Sequence, residues 1–370
     1  MKIKNYLTLS ILLFGSLLIF TSCDDNFFDV MKKENDIKNQ TPWSSESFDI
    51  PPREGMVIAQ SEDKILTYIY GGVDYGNVRS DLWVYNNLTK KALYLRNYVP
   101  RAFATGQIIN KKLYIFGGYS GNPGSELLHN EILIYDIDSN TWDIKGNSLT
   151  TGNRPSARYK HISMKSGNFL IIQGGESSYS NDSNTITFAD RATYILDTIP
   201  KDENNKMDWT KGLDGPQVTG HSSCSSSNGL FVFGGYGIDT FYGTSSLTAR
   251  SVIVQHSNEL WQYFFMKDNI KKSTWRLISE TNDINLGRRG TSMSHNSDRL
   301  YITTGYNSTY LKSMLVFNIT TKTWENKTNF KPEPRKNHVS WIYDNSLIIF
   351  GGSTNDKNLL YPKDYWLYSL

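Results

Sequence analysis

One short pattern recurs six times along this 370-residue chain: an apolar strand that ends in Gly-Gly, a gap, and a second strand that ends in an aromatic. A Trp usually follows. The glycine pairs stand at Gly71-Gly72, Gly117-Gly118, Gly174-Gly175, Gly234-Gly235, the altered Thr304-Gly305, and Gly351-Gly352. A period of this length marks a repeat architecture in which each unit buries its apolar face against its neighbours. Runs such as Leu113-Tyr114-Ile115-Phe116 and Leu347-Ile348-Ile349-Phe350 read as buried strands. The glycines allow a tight turn and close backbone approach after each. Second strands follow at Asp81–Tyr85, Glu131–Tyr135, Glu259–Tyr263 and Ser313–Phe317, and tryptophans at Trp142, Trp209, Trp275 and Trp324.

This order of Gly-Gly, aromatic and Trp resembles the kelch repeat over residues 43 to 370. The resemblance implies an all-β fold: a six-bladed β-propeller of four-stranded antiparallel blades, one per repeat. The last repeat stops at Tyr365-Trp366-Leu367-Tyr368, its third strand, whereas an orphan Trp43 precedes the first repeat. Residues near 43 to 48 are therefore expected to supply the sixth blade's outer strand and close the ring, which removes an exposed sheet edge. Blade 1 departs from the pattern, with Ala92 where a Trp is expected.

Ahead of the repeats, residues 1–22 carry Lys2 and Lys4, an apolar stretch from Leu7 to Phe20, and then Thr21-Ser22-Cys23. This reads as a secretory signal. The small residues before Cys23 resemble a bacterial lipoprotein processing site, which implies that Cys23 becomes the lipid-bearing first residue; an ordinary secretory signal is the alternative. Residues 23–42 form a polar tether. The expected location is thus the cell envelope, on the outer membrane or cell surface through a lipid anchor. With Cys23 acylated, Cys224 is left without a disulfide partner. Loss of Lys2 and Lys4 with the signal brings the 39 basic residues to 37, against 36 acidic ones, so charge points to no nucleic acid. A monomer is expected, with no cofactor.

In a propeller of this kind, ligands are expected on the face where the inner strands begin and loops gather. Some 15 to 18 residues before the glycine pairs stand Arg53, Arg101, Arg158, Arg289 and Arg335, with Val218 in the fourth blade. Pointed into a shared mouth, these guanidiniums would favour a protein or glycan ligand with acidic groups. The other reading is that each arginine braces neighbouring backbone or acids. The loops Glu176 to Arg191 and Tyr236 to Ser257 are the longest between second and third strands, and carry Tyr179, Phe188, Phe241 and Tyr242 as candidate contacts. His161, His221 and His338 follow the arginine site by three residues, a packing position in kelch strands rather than a metal set.

Two enzyme families share the architecture. Galactose oxidase needs a Tyr crosslinked to a Cys; Cys224 lies in a first strand, but Gly287–Met293 of the next blade offers no tyrosine. N-acetylneuraminate epimerase suits an arginine-lined mouth, but its long inter-blade stretches do not match here. A non-catalytic binding module is therefore the favoured expectation, with a sugar-modifying enzyme as the alternative.

Overall fold

The computed structural model describes residues 42–143, 146–179, 186–201, 206–238, 254–281, 283–357 and 359–370. Ser45–Leu370 group into one contact unit. Among the described residues, its main sheets are six of four or five strands, each running from an inner strand outward, with shorter two- and three-stranded sheets beside them. The first four are Val57–Gln60 to Lys91–Asn97, Thr105–Ile109 to Thr141–Asp143, Ile162–Ser166 to Met207–Asp214, and Ser222–Ser226 to Thr274–Glu280. The fifth is Ser292–Asn296 to Thr323–Lys327. In the sixth, Val339–Tyr343, Ser346–Phe350 and Asp364–Ser369 are completed by Trp43–Ser47, the closing strand expected from the orphan Trp. Blade 3 has a fifth strand, Thr150–Gly152, parallel to Met207–Asp214. No helix among the described residues is long and apolar enough to cross a membrane.

The seven-residue spacing from the aromatic to the Trp is a hairpin. Tyr135 pairs across strands with Trp142, and Phe317 with Trp324. Each of these tryptophans then reaches the preceding blade: Trp142 lies 5.1 Å from Tyr70, Trp209 5.6 Å from Phe116, and Trp324 5.4 Å from Phe233. These tilted or edge-on contacts add about 0.5–1.5 kcal/mol each beyond area burial. In blade 1, Tyr85 faces Ala92, so no such wedge exists. Phe48, just past the closing strand, packs there instead, at 4.5 Å from Phe350 and 4.9 Å from Tyr85.

Glu46 of the closing strand accepts hydrogen bonds from Tyr365 and Lys90, both at 2.7 Å. Asn87 ties the same two blades together. Its side-chain carbonyl accepts the Trp341 indole N–H at 2.7 Å, and its amide donates to Thr67. Although Asn87 heads an Asn-x-Thr sequence, it is buried.

The glycine pairs hold the blades together. The second residue of each pair donates its N–H to a carbonyl of the next blade: Gly72 to Arg101, Gly118 to Arg158, Gly175 to Val218, Gly235 to Arg288, Gly305 to Arg335 and Gly352 to Arg53, at 2.8–3.0 Å. The first glycine has φ near +65°, and a Cβ at Gly71 would stand 2.2 Å from the Arg101 carbonyl oxygen. Thr304 replaces that glycine in blade 5 and still adopts a φ of 40°. This is costly for a β-branched residue. Its hydroxyl compensates by accepting the Arg335 N–H at 3.0 Å and donating to the Leu311 carbonyl at 2.7 Å.

Candidate functional site: the cationic mouth of the channel

Two residues beyond each arginine position, the six inner strands meet in a closed circle of backbone hydrogen bonds. Phe103 donates to Gly55, Lys160 to Phe103, Gly220 to Lys160, Gly290 to Gly220, Asn337 to Gly290, and Gly55 to Asn337, at 2.6–3.1 Å. All six residues adopt φ between 53° and 64°. The circle occupies all six N–H groups, so recognition at this level falls to side chains. It lines one end of a central cavity of about 230 Å³.

Four of the five arginines expected to ring the mouth are buried instead. Arg53, Arg101, Arg158 and Arg335 are at most 3% exposed. Arg53 donates to the carbonyls of Pro51 and Gly71 and grips Asp81 with two bonds of 2.5 and 2.8 Å. Arg158 bonds to Gly174 and Asp190, Arg335 to Glu333 and Gly351, and Arg101 to Glu131. Arg53, Arg158 and Arg335 each brace the glycine turn where their own blade's second strand ends, whereas Arg101 holds the residue just before its blade's third strand. The fifth member of this bracing set is Arg288 rather than Arg289. Arg288 is fully buried and donates to the carbonyls of Leu286, Thr304 and Ser313. It lies 16 residues before its glycine pair, as do Arg101, Arg158 and Arg335, whereas Arg289 lies 15 before. A one-residue slip along a strand sends a side chain to the opposite face.

Arg289 therefore stands at the mouth itself. Its guanidinium carbon lies 4.9 Å above the Tyr236 ring and 5.5 Å from that of Tyr306. Lys336, the matching residue of blade 6, places its ammonium 5.3 Å from Tyr306 and 5.6 Å from Tyr310. Among the described residues, neither cation has a carboxylate partner. His256 packs against Tyr236 and Tyr306, and burial, with Arg289 nearby, lowers it to about 4. It is neutral at physiological pH.

Lys160 is the third cation. Its ammonium is 3.2 Å from Glu176 and 4.7 Å from the Tyr159 ring. Burial lowers its pKa; Glu176 opposes this, and the charges of Arg289 and Lys336 add to the lowering. Glu176 is buried, with one oxygen accepting from Lys160 and Thr219 and the other from Tyr159. A carboxylate so engaged is a strut rather than a poised base. Glu54 accepts from Asn337 and Ser353, both at 2.7 Å.

Tyr179 joins Phe103, Tyr119 and Tyr159 in an aromatic cluster on the blade 2 and 3 side, 5.0 Å from Tyr119 and 5.6 Å from Tyr159. Phe188 is half-buried and bridges to Glu176. Phe241, Tyr242 and Cys23 lie outside the described residues. His161, His221 and His338 turn toward neighbouring glycine turns and strands: His338 bonds to Thr303 at 2.7 Å, and His221 to Gln173 at 3.2 Å. Among the described residues, no group of His, Cys, Asp and Glu is arranged to hold a metal. Cys224, on the inner strand of blade 4, is a free thiol that burial pushes up to about 12.

Residues 103–352 match the model of the KLHDC2/KLHL20/DRC7 Kelch-repeats domain. The chain is 26% identical over 293 residues to Tip elongation aberrant protein 1 of Schizosaccharomyces pombe, a match covering 77% of this chain and 23% of that protein. It is 24% identical over 257 residues to Kelch domain-containing protein 3 of Rattus norvegicus, covering 67% of this chain and 59% of that one. The chain thus spans between about a quarter and three fifths of the length of these relatives. Among solved structures, that of YjhT superposes with a TM-score of 0.63 at 15% identity, over 87% of this chain and 94% of YjhT. With the six sheets and their glycine turns, the family match leads to one conclusion: this chain belongs to the kelch-repeat family and folds as its β-propeller.

Proposed function

We propose that this chain is a non-catalytic binding module whose channel mouth recognises a protein or glycan bearing acidic groups. The observation that carries this reading is the meeting of Arg289, Lys336 and Lys160 at one mouth, the first two without a carboxylate partner among the described residues. Cations over aromatic faces are held in place and attract anions without first breaking an ion pair. The engaged state of Glu176 supports binding over acid–base chemistry. The bracing arginines contribute by holding the blades, and of the five arginines named from the sequence Arg289 is the one that is not buried.

In the same reading, Cys23 carries a lipid that tethers a monomeric propeller to the cell envelope through residues 23–42. Metabolic labelling with palmitate, and mass spectrometry of the N-terminal peptide, test the anchor: a Cys23→Ser chain is expected to lose both label and membrane association. Affinity capture from envelope extract tests the binding face. Wild-type bait is expected to hold a partner that Arg289→Glu/Lys336→Glu bait of equal folding loses. Capture of the same set by both baits argues against the mouth.

A further inference from the structure

We infer that the rim over blades 4 to 6 is an oxyanion subsite in which Arg289 supplies a two-pronged donor and Lys336 a second charge, for a carboxylate or sulfate group. This inference rests on the reading of the mouth as a ligand-binding face and adds which residues meet the anion.

The circle of six inner-strand residues is unevenly filled. Phe103 and Lys160 place large side chains over blades 2 and 3, whereas blades 4 and 5 carry Gly220 and Gly290. The backbones that carry Arg289 and Lys336 run beside these two glycines. A Cβ at Gly220 would lie 3.5 Å from the Arg289 Cβ, and one at Gly290 would lie 3.0 Å from the Lys336 Cβ. Tyr306 packs against both cations, and Tyr236 supports Arg289 from a second side. A guanidinium stacked on rings keeps its in-plane N–H donors available. That plane matches two oxygens of a carboxylate or sulfate, while a lysine adds charge without directional preference. Among the described residues no carboxylate pairs with either cation, so an incoming anion displaces no ion-pair partner among them. Lys160, held by Glu176 at 3.2 Å, supplies a more distant positive field.

The experiment uses the whole chain with ¹⁵N-labelled arginine. The Nε–Hε signal of Arg289 is assigned by its loss in Arg289→Lys. Sodium sulfate and sodium glucuronate are titrated against sodium chloride at matched ionic strength. Saturable movement of the Arg289 signal with sulfate, glucuronate or both, and none with chloride, is expected. The tighter of the two identifies sulfated or carboxylated ligands as the source. Lys336→Gln should weaken binding several-fold. In Arg289→Lys, followed through backbone amides of Gly220 and Gly290, binding should weaken about tenfold with thermal stability unchanged, because charge is kept and the fork lost. Movement that chloride reproduces, or binding unaffected by Arg289→Lys, overturns the subsite. A saturable subsite in a chain whose captured partners ignore the double charge reversal would instead overturn the reading of the whole face and leave the subsite standing.

Discussion

The ring of Phe48 meets that of Phe350 edge-on, with centroids 4.5 Å apart, at the seam where the first and last blades join. Elsewhere the matching contact comes from a Trp on the fourth strand, as with Trp209 on Phe116 and Trp324 on Phe233. The blade that lacks this Trp is the blade beside the closing strand. Phe48 fills the space left by Ala92, so one residue contributes both to closure of the ring and to packing of blade 1.

Replacing Phe48 with Ala is accordingly expected to cost about 3–5 kcal/mol, the usual range for a buried phenylalanine. Urea unfolding followed by tryptophan fluorescence measures it. A cost below about 1 kcal/mol would show that the seam is held by strand pairing and the Glu46 and Asn87 bonds instead.

Arg288 and Arg289 separate stability from recognition within one dipeptide. Arg288→Ala removes the donor to the carbonyls of Leu286, Thr304 and Ser313, two of these bonds being buried, and should destabilise the fold by about 2 kcal/mol. Arg289→Ala removes two ring contacts and should cost no more than about 1 kcal/mol. Equal losses of stability in the two variants would contradict the placement of Arg289 at the mouth.

The propeller was legible in the sequence because its repeat rests on residues with few substitutes: glycines at positive φ, and an aromatic and a Trp facing each other across a hairpin. Even the altered Thr304-Gly305 was recognisable from its flanking strands. Orientation at the end of a strand was not legible. Arg288 and Arg289 are chemically alike, and only a constant spacing of 16 residues to the glycine pair favours the first. The closed circle at the mouth was hidden because Phe103 and Lys160 are unusual choices for a left-handed backbone. The grouping of Lys160, Arg289 and Lys336 depends on three blades far apart in sequence.

All six histidines are held below their ordinary range by burial: His221 and His338 to about 3, His129 and His256 to about 4, with His161 well below and His295 also lowered. An unfolded chain takes up protons at these residues near pH 6.5 while the native chain does not. The unfolded state therefore binds more protons below that pH, and native stability falls as pH decreases. The loss between pH 7 and 5 should reach a few kcal/mol, in a window above the one where carboxylates such as Glu46, itself lowered chiefly by Lys90, begin to titrate. Urea midpoints at the two pH values check this, and His338→Gln should remove part of the slope. A flat profile would mean that these rings are accessible to protons in the native state.

The most direct test of recognition at the mouth is an array of acidic and neutral glycans and peptides probed with wild type, Arg289→Glu/Lys336→Glu, and a surface control, Lys111→Glu/Lys322→Glu. Wild type and the control are expected to bind a common set of acidic ligands, more weakly as salt rises, and the mouth variant to lose that set while unfolding at the same temperature. Retention of the set by the mouth variant, or a preference of wild type for neutral ligands, would contradict recognition of acidic ligands through these cations.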